Sequence, residues 1–182
     1  MQVKQAIILA GGLGTRLKDT VPDLPKCMAP VNGQPFLTYV IRHLLSQGIE
    51  KFIFSLGYRH EIIEEFLNTQ YPTINFQCVV EQEPLGTGGA IKLSCQAATE
   101  KNVLILNGDT LYKTDSEALS AFHLSHDAEC TLALKPMQSF DRYGVVELDE
   151  NNTIASFKEK QFYRSGFING GIYVLNVEKF LS

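Results

Sequence analysis

A chain of 182 residues, 45% hydrophobic and 20% charged, reads as one soluble globular domain large enough to bury a core. Its net charge of −4 argues against broad nucleic-acid binding, and no apolar run is long enough to span a bilayer. Cys27, Cys78, Cys95 and Cys130 are far apart and form no C-x-x-C pair, so they read as buried thiols of a reducing compartment. Met1-Gln2-Val3-Lys4-Gln5 leads straight into a strand with no visible signal peptide, which makes the cytoplasm the expected location.

Val3 to Leu9 is a buried first strand, and Gly11-Gly12-Leu13-Gly14-Thr15-Arg16 follows it. Glycines without a Cβ let backbone N–H groups converge on an anion, and an arginine offers a planar fork to phosphate oxygens. The plainer alternative is a tight turn with a solvated arginine. No lysine follows Gly14, which excludes a Walker loop, and the Gly11-Gly12-x-Gly14 spacing does not fit the dinucleotide fingerprint. Lys18 to Pro35 is broken by Pro22, Pro25, Pro30 and Pro35 and is expected to be irregular. Within it Lys26 stands in an apolar, proline-braced segment. By itself that lysine reads as a surface side chain.

Pro35 opens a helix that buries Phe36, Leu37, Val40, Ile41, Leu44 and Leu45 and closes at Gly48. Lys51–Leu56 is a second strand, His60–Asn68 an amphipathic helix and Ile74–Val80 a third strand. Gly86-Thr87-Gly88-Gly89-Ala90 opens a helix reaching about Ala98, and Val103–Leu106 is a fourth strand ending at Asn107-Gly108-Asp109. The alternation predicts a doubly wound, mixed but mainly parallel α/β sheet, whose ligands bind outside the carboxyl ends of the strands. The Gly11 loop, the Glu81–Gly89 loop and the Asn107–Asp109 turn all fall at that edge. After a helix over Ser116–Ser125, the strands Glu129–Lys135, Gly144–Leu148, Ile154–Lys158 and Phe167–Leu175 form a small β-rich second part. The expected division is residues 1–127 and residues 128–182, within one domain. His123 and His126 lack a third ligand and read as a solvated helix face; Tyr143 and Tyr173 read as packing residues.

Taken in order, these segments resemble the sugar-phosphate nucleotidylyltransferases. The resemblance is carried by Leu9 to Leu17, Pro25-Lys26-x-Met28-x-Pro30-Val31, Glu83 to Ala90, Gly108-Asp109, Tyr143-Gly144-Val145, Phe157-x-Glu159-Lys160 and Asn169-Gly170-Gly171-Ile172-Tyr173. Asp141-Arg142-Tyr143-Gly144 and Ile168–Tyr173 look most like the branch that uses GTP and D-glycero-α-D-manno-heptose 1-phosphate. That family has a Rossmann-like nucleotide-diphospho-sugar transferase fold. In its reaction a sugar 1-phosphate oxygen attacks the α-phosphorus of an NTP and releases pyrophosphate, here toward a nucleotide-sugar for lipopolysaccharide or capsule.

The resemblance implies a role for each matching residue. Leu9, Ala10, Gly11, Gly12, Gly14 and Thr15 would cradle the nucleotide, and Arg16 would hold the departing phosphates. Lys26 would reach the α-phosphate, and Asp109 would be a Mg2+ ligand; magnesium takes one or two carboxylates plus phosphate oxygens. Glu81, Glu83, Pro84, Gly86 and Thr87 would hold the base. A carboxylate accepts from both guanine N1–H and N2, so Glu81 or Glu83 suits GTP, whereas Gln82 would suit a pyrimidine. Lys160 would meet the sugar phosphate, with Gly144, Glu159, Asn169 and Gly170 around the sugar.

No aspartate follows Asp149, although the family places a second metal-binding Asp near its C-terminus. The expectation is therefore a C-terminally truncated chain that binds nucleotide but turns over poorly. The alternatives are a mannose 1-phosphate guanylyltransferase, an amino-sugar 1-phosphate uridylyltransferase and a catalytically deficient regulatory module. The expected partners are an NTP and a sugar 1-phosphate, with no nucleic acid and no membrane. A homo-oligomer is compatible with the sequence.

Overall fold

The computed structural model describes residues 2–12 and 24–182. Strand β1 (Gln5–Leu9) is followed, after the undescribed stretch, by a 3-10 turn at Lys26–Met28 and by the short strands β2 (Pro30–Val31) and β3 (Gln34–Pro35). Then come α1 (Phe36–Ser46), β4 (Lys51–Leu56), α2 (His60–Gln70), β5 (Asn75–Val80), α3 (Gly86–Cys95), β6 (Asn102–Asn107) and α4 (Ser116–Ser125). The chain ends with β7 (Cys130–Phe140), β8 (Val146–Leu148), β9 (Ile154–Phe157), β10 (Tyr163–Asn176) and α5 (Val177–Leu181). Two compact units result: residues 1–131 with 173–182, and residues 132–172. Among the described residues no helix is long and apolar enough to cross a membrane.

In the first unit the order β5-β4-β1-β6 is parallel throughout, with Ile7 beside both Ile53 and Ile105, and Ile8 beside both Phe54 and Leu106. Alternate residues of a strand point to opposite faces. Ile7, Ile53 and Ile105 therefore share one face, where they cluster with Cys95 of α3 and Val177 of α5. Ile8, Phe54 and Leu106 are buried on the other face. Burial on both sides is what makes these strands read as unbroken apolar runs. α1 buries Leu37, Val40, Ile41 and Leu44, and Gly48, at φ +77°, turns the chain after it. A fully buried Leu or Ile contributes about 1.5–3 kcal/mol each by the area rule, so this core dominates the unit's stability.

The second unit is built differently. β8 lies antiparallel to β10 at Val146–Phe167 and to β9 at Val146–Phe157, and β7 also pairs with β10. Its core is small: Phe140, Val145 and Ile168, with Met137 and Tyr163 against them.

Several expectations need correction. The proline-rich stretch is not wholly irregular, because Val31-Asn32-Gly33-Gln34 closes a hairpin. Asn32 and Gly33 sit at φ 49° and 77°, the two positive values a type I′ turn requires. His123 is not solvated: it is 1% exposed, with Nδ1 2.9 Å from Thr131 Oγ1 and Nε2 3.1 Å from Asn102 Oδ1. Along α4 the polar residues Ser116, Ser120 and His123 face inward, whereas Phe122 and Leu124 face out. Tyr143 is 47% exposed and packs little, while Tyr173 packs as expected against the first unit's core. Of the four thiols only Cys27 and Cys95 are buried; Cys78 is half-buried and Cys130 exposed. β7 and β10 are also longer than their apolar segments, because both run on through largely exposed residues.

Candidate active site

The four parallel strands of the first unit end at Leu9, Leu56, Val80 and Asn107, and their carboxyl ends open into a cleft of about 790 Å³. The segment leaving β1 is clipped on both sides. Ala10 N–H donates to Ser55 O at 2.8 Å, and Gly108 N–H donates to Leu9 O at 2.8 Å. Glu81 N–H donates to Leu56 O at 2.9 Å, which ties the next loop to the same edge. The loops around the cleft are thus held by the ladder itself.

Leu9, Ala10, Gly11, Gly12, Lys26, Glu81, Glu83, Pro84, Gly86, Thr87 and Asp109 all line this cleft. Gly14, Thr15 and Arg16 lie outside the described residues. Sequence reasoning passed over Ser55, Gly57, Tyr58 and His60, which line it too. The signal was available, since ligands of such sheets lie beyond the strand ends and Gly57 follows the last residue of β4. Gly57 is there for close approach. A Cβ on it would come within 2.8 Å of Glu81 Oε1 and 2.9 Å of Gly11 O, and one on Gly11 would also meet Glu81 Oε1 at 2.8 Å. Glu81 Oε2 accepts from Leu85 N–H at 3.2 Å, so this carboxylate braces the loop before α3. α3 has no side-chain cap, and an uncapped first turn leaves N–H groups without a helical partner.

Lys26 leaves the 3-10 turn whose Cys27 and Met28 are buried anchors. Its Nζ lies 2.5 Å from Asp109 Oδ2, and Thr110 Oγ1 donates to the other oxygen, Oδ1, at 3.2 Å. The two side chains are 41% and 29% exposed. Burial, and then the Asp109 charge, push the Cys27 thiol up to about 12. Cys27 is therefore a protonated packing group and no nucleophile. Among the described residues no three His, Cys, Asp or Glu side chains are grouped to hold a metal by themselves. A half-exposed carboxylate at a strand end does fit a magnesium ion that takes its other ligands from phosphate and water.

The residues given to the sugar fall in the second unit. Gly144 lies against the 158–159 backbone, where a Cβ on it would collide with Lys158 O. Lys158 N–H donates to Val145 O at 2.8 Å, and its ammonium is 3.2 Å from Glu147. Tyr163 O–H donates to Glu159 O at 2.8 Å, fixing the turn that carries Glu159 and Lys160. On β10, Asn169 Oδ1 accepts from Gly171 N–H at 2.8 Å, and Gly171 has φ +75°. Asn169 and Gly170 thus sit at a local irregularity of the strand.

Comparison with known proteins identifies the relatives of this chain. A D-glycero-α-D-manno-heptose 1-phosphate guanylyltransferase of Aneurinibacillus thermoaerophilus is 50% identical over 172 residues, covering 94% of this chain and 74% of that protein. One from Campylobacter jejuni is 46% identical over 176 residues, covering 97% and 77%. The crystal structure of HddC from Yersinia pseudotuberculosis complexed with GMP-PN superposes with a TM-score of 0.86 at 33% identity, over 100% of this chain and 80% of that one. A UDP-glucose pyrophosphorylase, at 18% identity and a TM-score of 0.78, shares the fold. The nucleotidyl transferase family model matches residues 5–182, and the chain belongs to that family.

Proposed function

We propose that the chain joins GTP and D-glycero-α-D-manno-heptose 1-phosphate into a GDP-sugar, with release of pyrophosphate. One observation carries the choice of substrates: the 50% and 46% identity to two heptose 1-phosphate guanylyltransferases. NTPs and sugar phosphates are cytoplasmic metabolites, so the same reading puts the protein in the cytoplasm, supplying a donor for surface polysaccharide.

In the reaction an oxygen of the sugar 1-phosphate attacks the α-phosphorus in line. The bond from that phosphorus to the α–β bridging oxygen breaks, and pyrophosphate leaves with the electron pair. Both reactants are anions, so the protein's task is positioning and charge neutralisation. The Leu9–Gly12 backbone is assigned to the nucleotide, and Gly14, Thr15 and Arg16 are assigned, on their sequence motif alone, to the nucleotide and its leaving phosphates. Lys26 neutralises charge at the α-phosphate. Asp109 would hold the divalent cation, Mg2+, whose chemistry is to neutralise phosphoryl oxygens.

The 81–87 loop takes the base. A carboxylate at Glu81 or Glu83 accepts from guanine N1–H and N2 together, and the first N–H groups of α3 can donate to O6. Lys160, with Gly144, Glu159, Asn169 and Gly170, is assigned to the sugar phosphate on the strength of the sequence motifs.

The test is a pyrophosphate-release assay with Mg2+, each of the four NTPs plus dTTP, and a panel of sugar 1-phosphates. Release specific to GTP with the heptose 1-phosphate is expected. Preference for mannose 1-phosphate would move the sugar assignment, and release with UTP alone would overturn the base assignment. No release under any condition, with nucleotide still bound, would favour a regulatory module.

A further inference from the structure

The ion pair in the cleft joins the two groups that the proposed function sends to different ligands. Lys26 is the one Lys or Arg among the described lining residues, yet its ammonium is on Asp109 rather than turned to the open cleft. The pair links residues 83 positions apart in the chain, from the 3-10 turn and from the end of β6. It is no stabilising device, because pairs this exposed contribute little to folding. Asp109 meanwhile has both oxygens engaged, by Lys26 and by Thr110. A cation arriving alone would meet a carboxylate already neutralised, and an anion arriving alone would meet an ammonium already neutralised.

We propose that the Lys26–Asp109 pair is a mutual guard, in which each group keeps the other from its ligand until cation and phosphoryl anion arrive together. The guard rests on the reading of Asp109 as the divalent-cation ligand and Lys26 as the phosphate ligand. Its consequence is positive coupling. A phosphate that draws Lys26 away uncovers Asp109, and a cation on Asp109 releases Lys26, with the same coupling factor in both directions. The ligand-free cleft then takes a metal–nucleotide complex in preference to either component.

Removing one unit charge a few ångströms from the other, in a half-exposed site, should change ligand affinity by about tenfold. The test uses Mn2+ alone, followed by electron paramagnetic resonance, and pyrophosphate alone in EDTA, followed by calorimetry. Lys26→Met should bind Mn2+ about tenfold more tightly than wild type, and Asp109→Asn should bind metal-free pyrophosphate about tenfold more tightly. The double variant Lys26→Met/Asp109→Asn should lose the gained Mn2+ affinity. If the double variant holds Mn2+ as tightly as Lys26→Met, Asp109 is not the cation ligand, and guard and metal assignment fall together. If the double variant loses Mn2+ but Lys26→Met is no tighter than wild type, the metal assignment stands and the guard alone is overturned. Thermal unfolding of each variant within a few degrees of wild type shows that the fold is intact.

Discussion

The two units carry their assigned residues in opposite ways. In the first, three of the four parallel strands, β1, β4 and β6, are buried on both faces, and everything of interest lies just past the carboxyl ends of the four. The ladder clips Ala10, Glu81 and Gly108 in place, so a rigid scaffold presents the loops. In the second, β8 pairs antiparallel with β9 and β10 over a core of only a few side chains, and Phe157 and Phe162 stay more than 60% exposed. Its assigned residues sit in a turn held by one tyrosine and at a strand irregularity. A buried parallel sheet fixes where ligands can go, and an exposed antiparallel one leaves that to local detail.

Substitutions can break this contrast, and those at the charged pair should act most strongly. Lys26→Ala should lower kcat for pyrophosphate release by about 100- to 1,000-fold, the loss usual for a group that stabilises developing charge. Steady-state kinetics checks this, and a loss of less than tenfold would remove Lys26 from the chemistry. Gly57→Val should raise KM for nucleotide by tenfold or more, roughly, with little effect on KM for the sugar phosphate, because its side chain would displace Glu81 and Gly11. Lys160→Ala should do the reverse, raising KM for the sugar phosphate by about tenfold and leaving nucleotide affinity unchanged. Equal effects of these two variants on both substrates would erase the division between the units.

Stability offers a finer comparison. Gly144→Ala forces the Lys158 carbonyl aside and should cost about 1–3 kcal/mol, read as a lower Tm. The smallest effect concerns His123. Burial first, and then Lys179, lower its pKa, although Asp127 opposes them. The unfolded chain then binds a proton that the folded chain does not. Stability from the neutral ring is complete above the ordinary histidine value and is lost as pH falls below it. His43 is lowered as well, by burial and Lys113, and adds to the same slope. His123→Gln should therefore flatten the fall in stability between pH 7 and pH 5, measured by urea unfolding, without abolishing it. An unchanged slope would contradict the neutral, buried ring.

How far the sequence could be read follows from the same contrast. The apolar runs ending at Leu9, Leu56 and Leu106 announced buried strands, and the glycines or carboxylates that follow Leu9, Val80 and Asn107 marked the cleft. Lys26 was legible only through its proline-braced motif, since a lone lysine has no periodicity to betray it. Tyr58 and His60 were missed because Gly57-Tyr58 looked like an ordinary turn; nothing local distinguishes a turn that lines a cleft from one that does not. The Asn32-Gly33 hairpin could have been read from its dipeptide, but the surrounding prolines obscured it. His123 was hidden for a different reason: α4 turns Ser116, Ser120 and His123 inward, against the usual sense of an amphipathic helix. In the second unit the strands could be placed, yet their lengths could not, because exposed ladders carry no apolar signature at their ends.

The proposed reaction puts the nucleotide in the cleft at the carboxyl ends of the parallel strands. Amide hydrogen exchange with and without GTP and Mg2+ tests it directly. Added protection is expected over residues 10–12, 57–60 and 81–90 and at 107–109, with the amino-terminal ends of the same strands unchanged. Protection centred instead on Gln2 to Lys4, Asn102 and Asp127, at those amino-terminal ends, would contradict it.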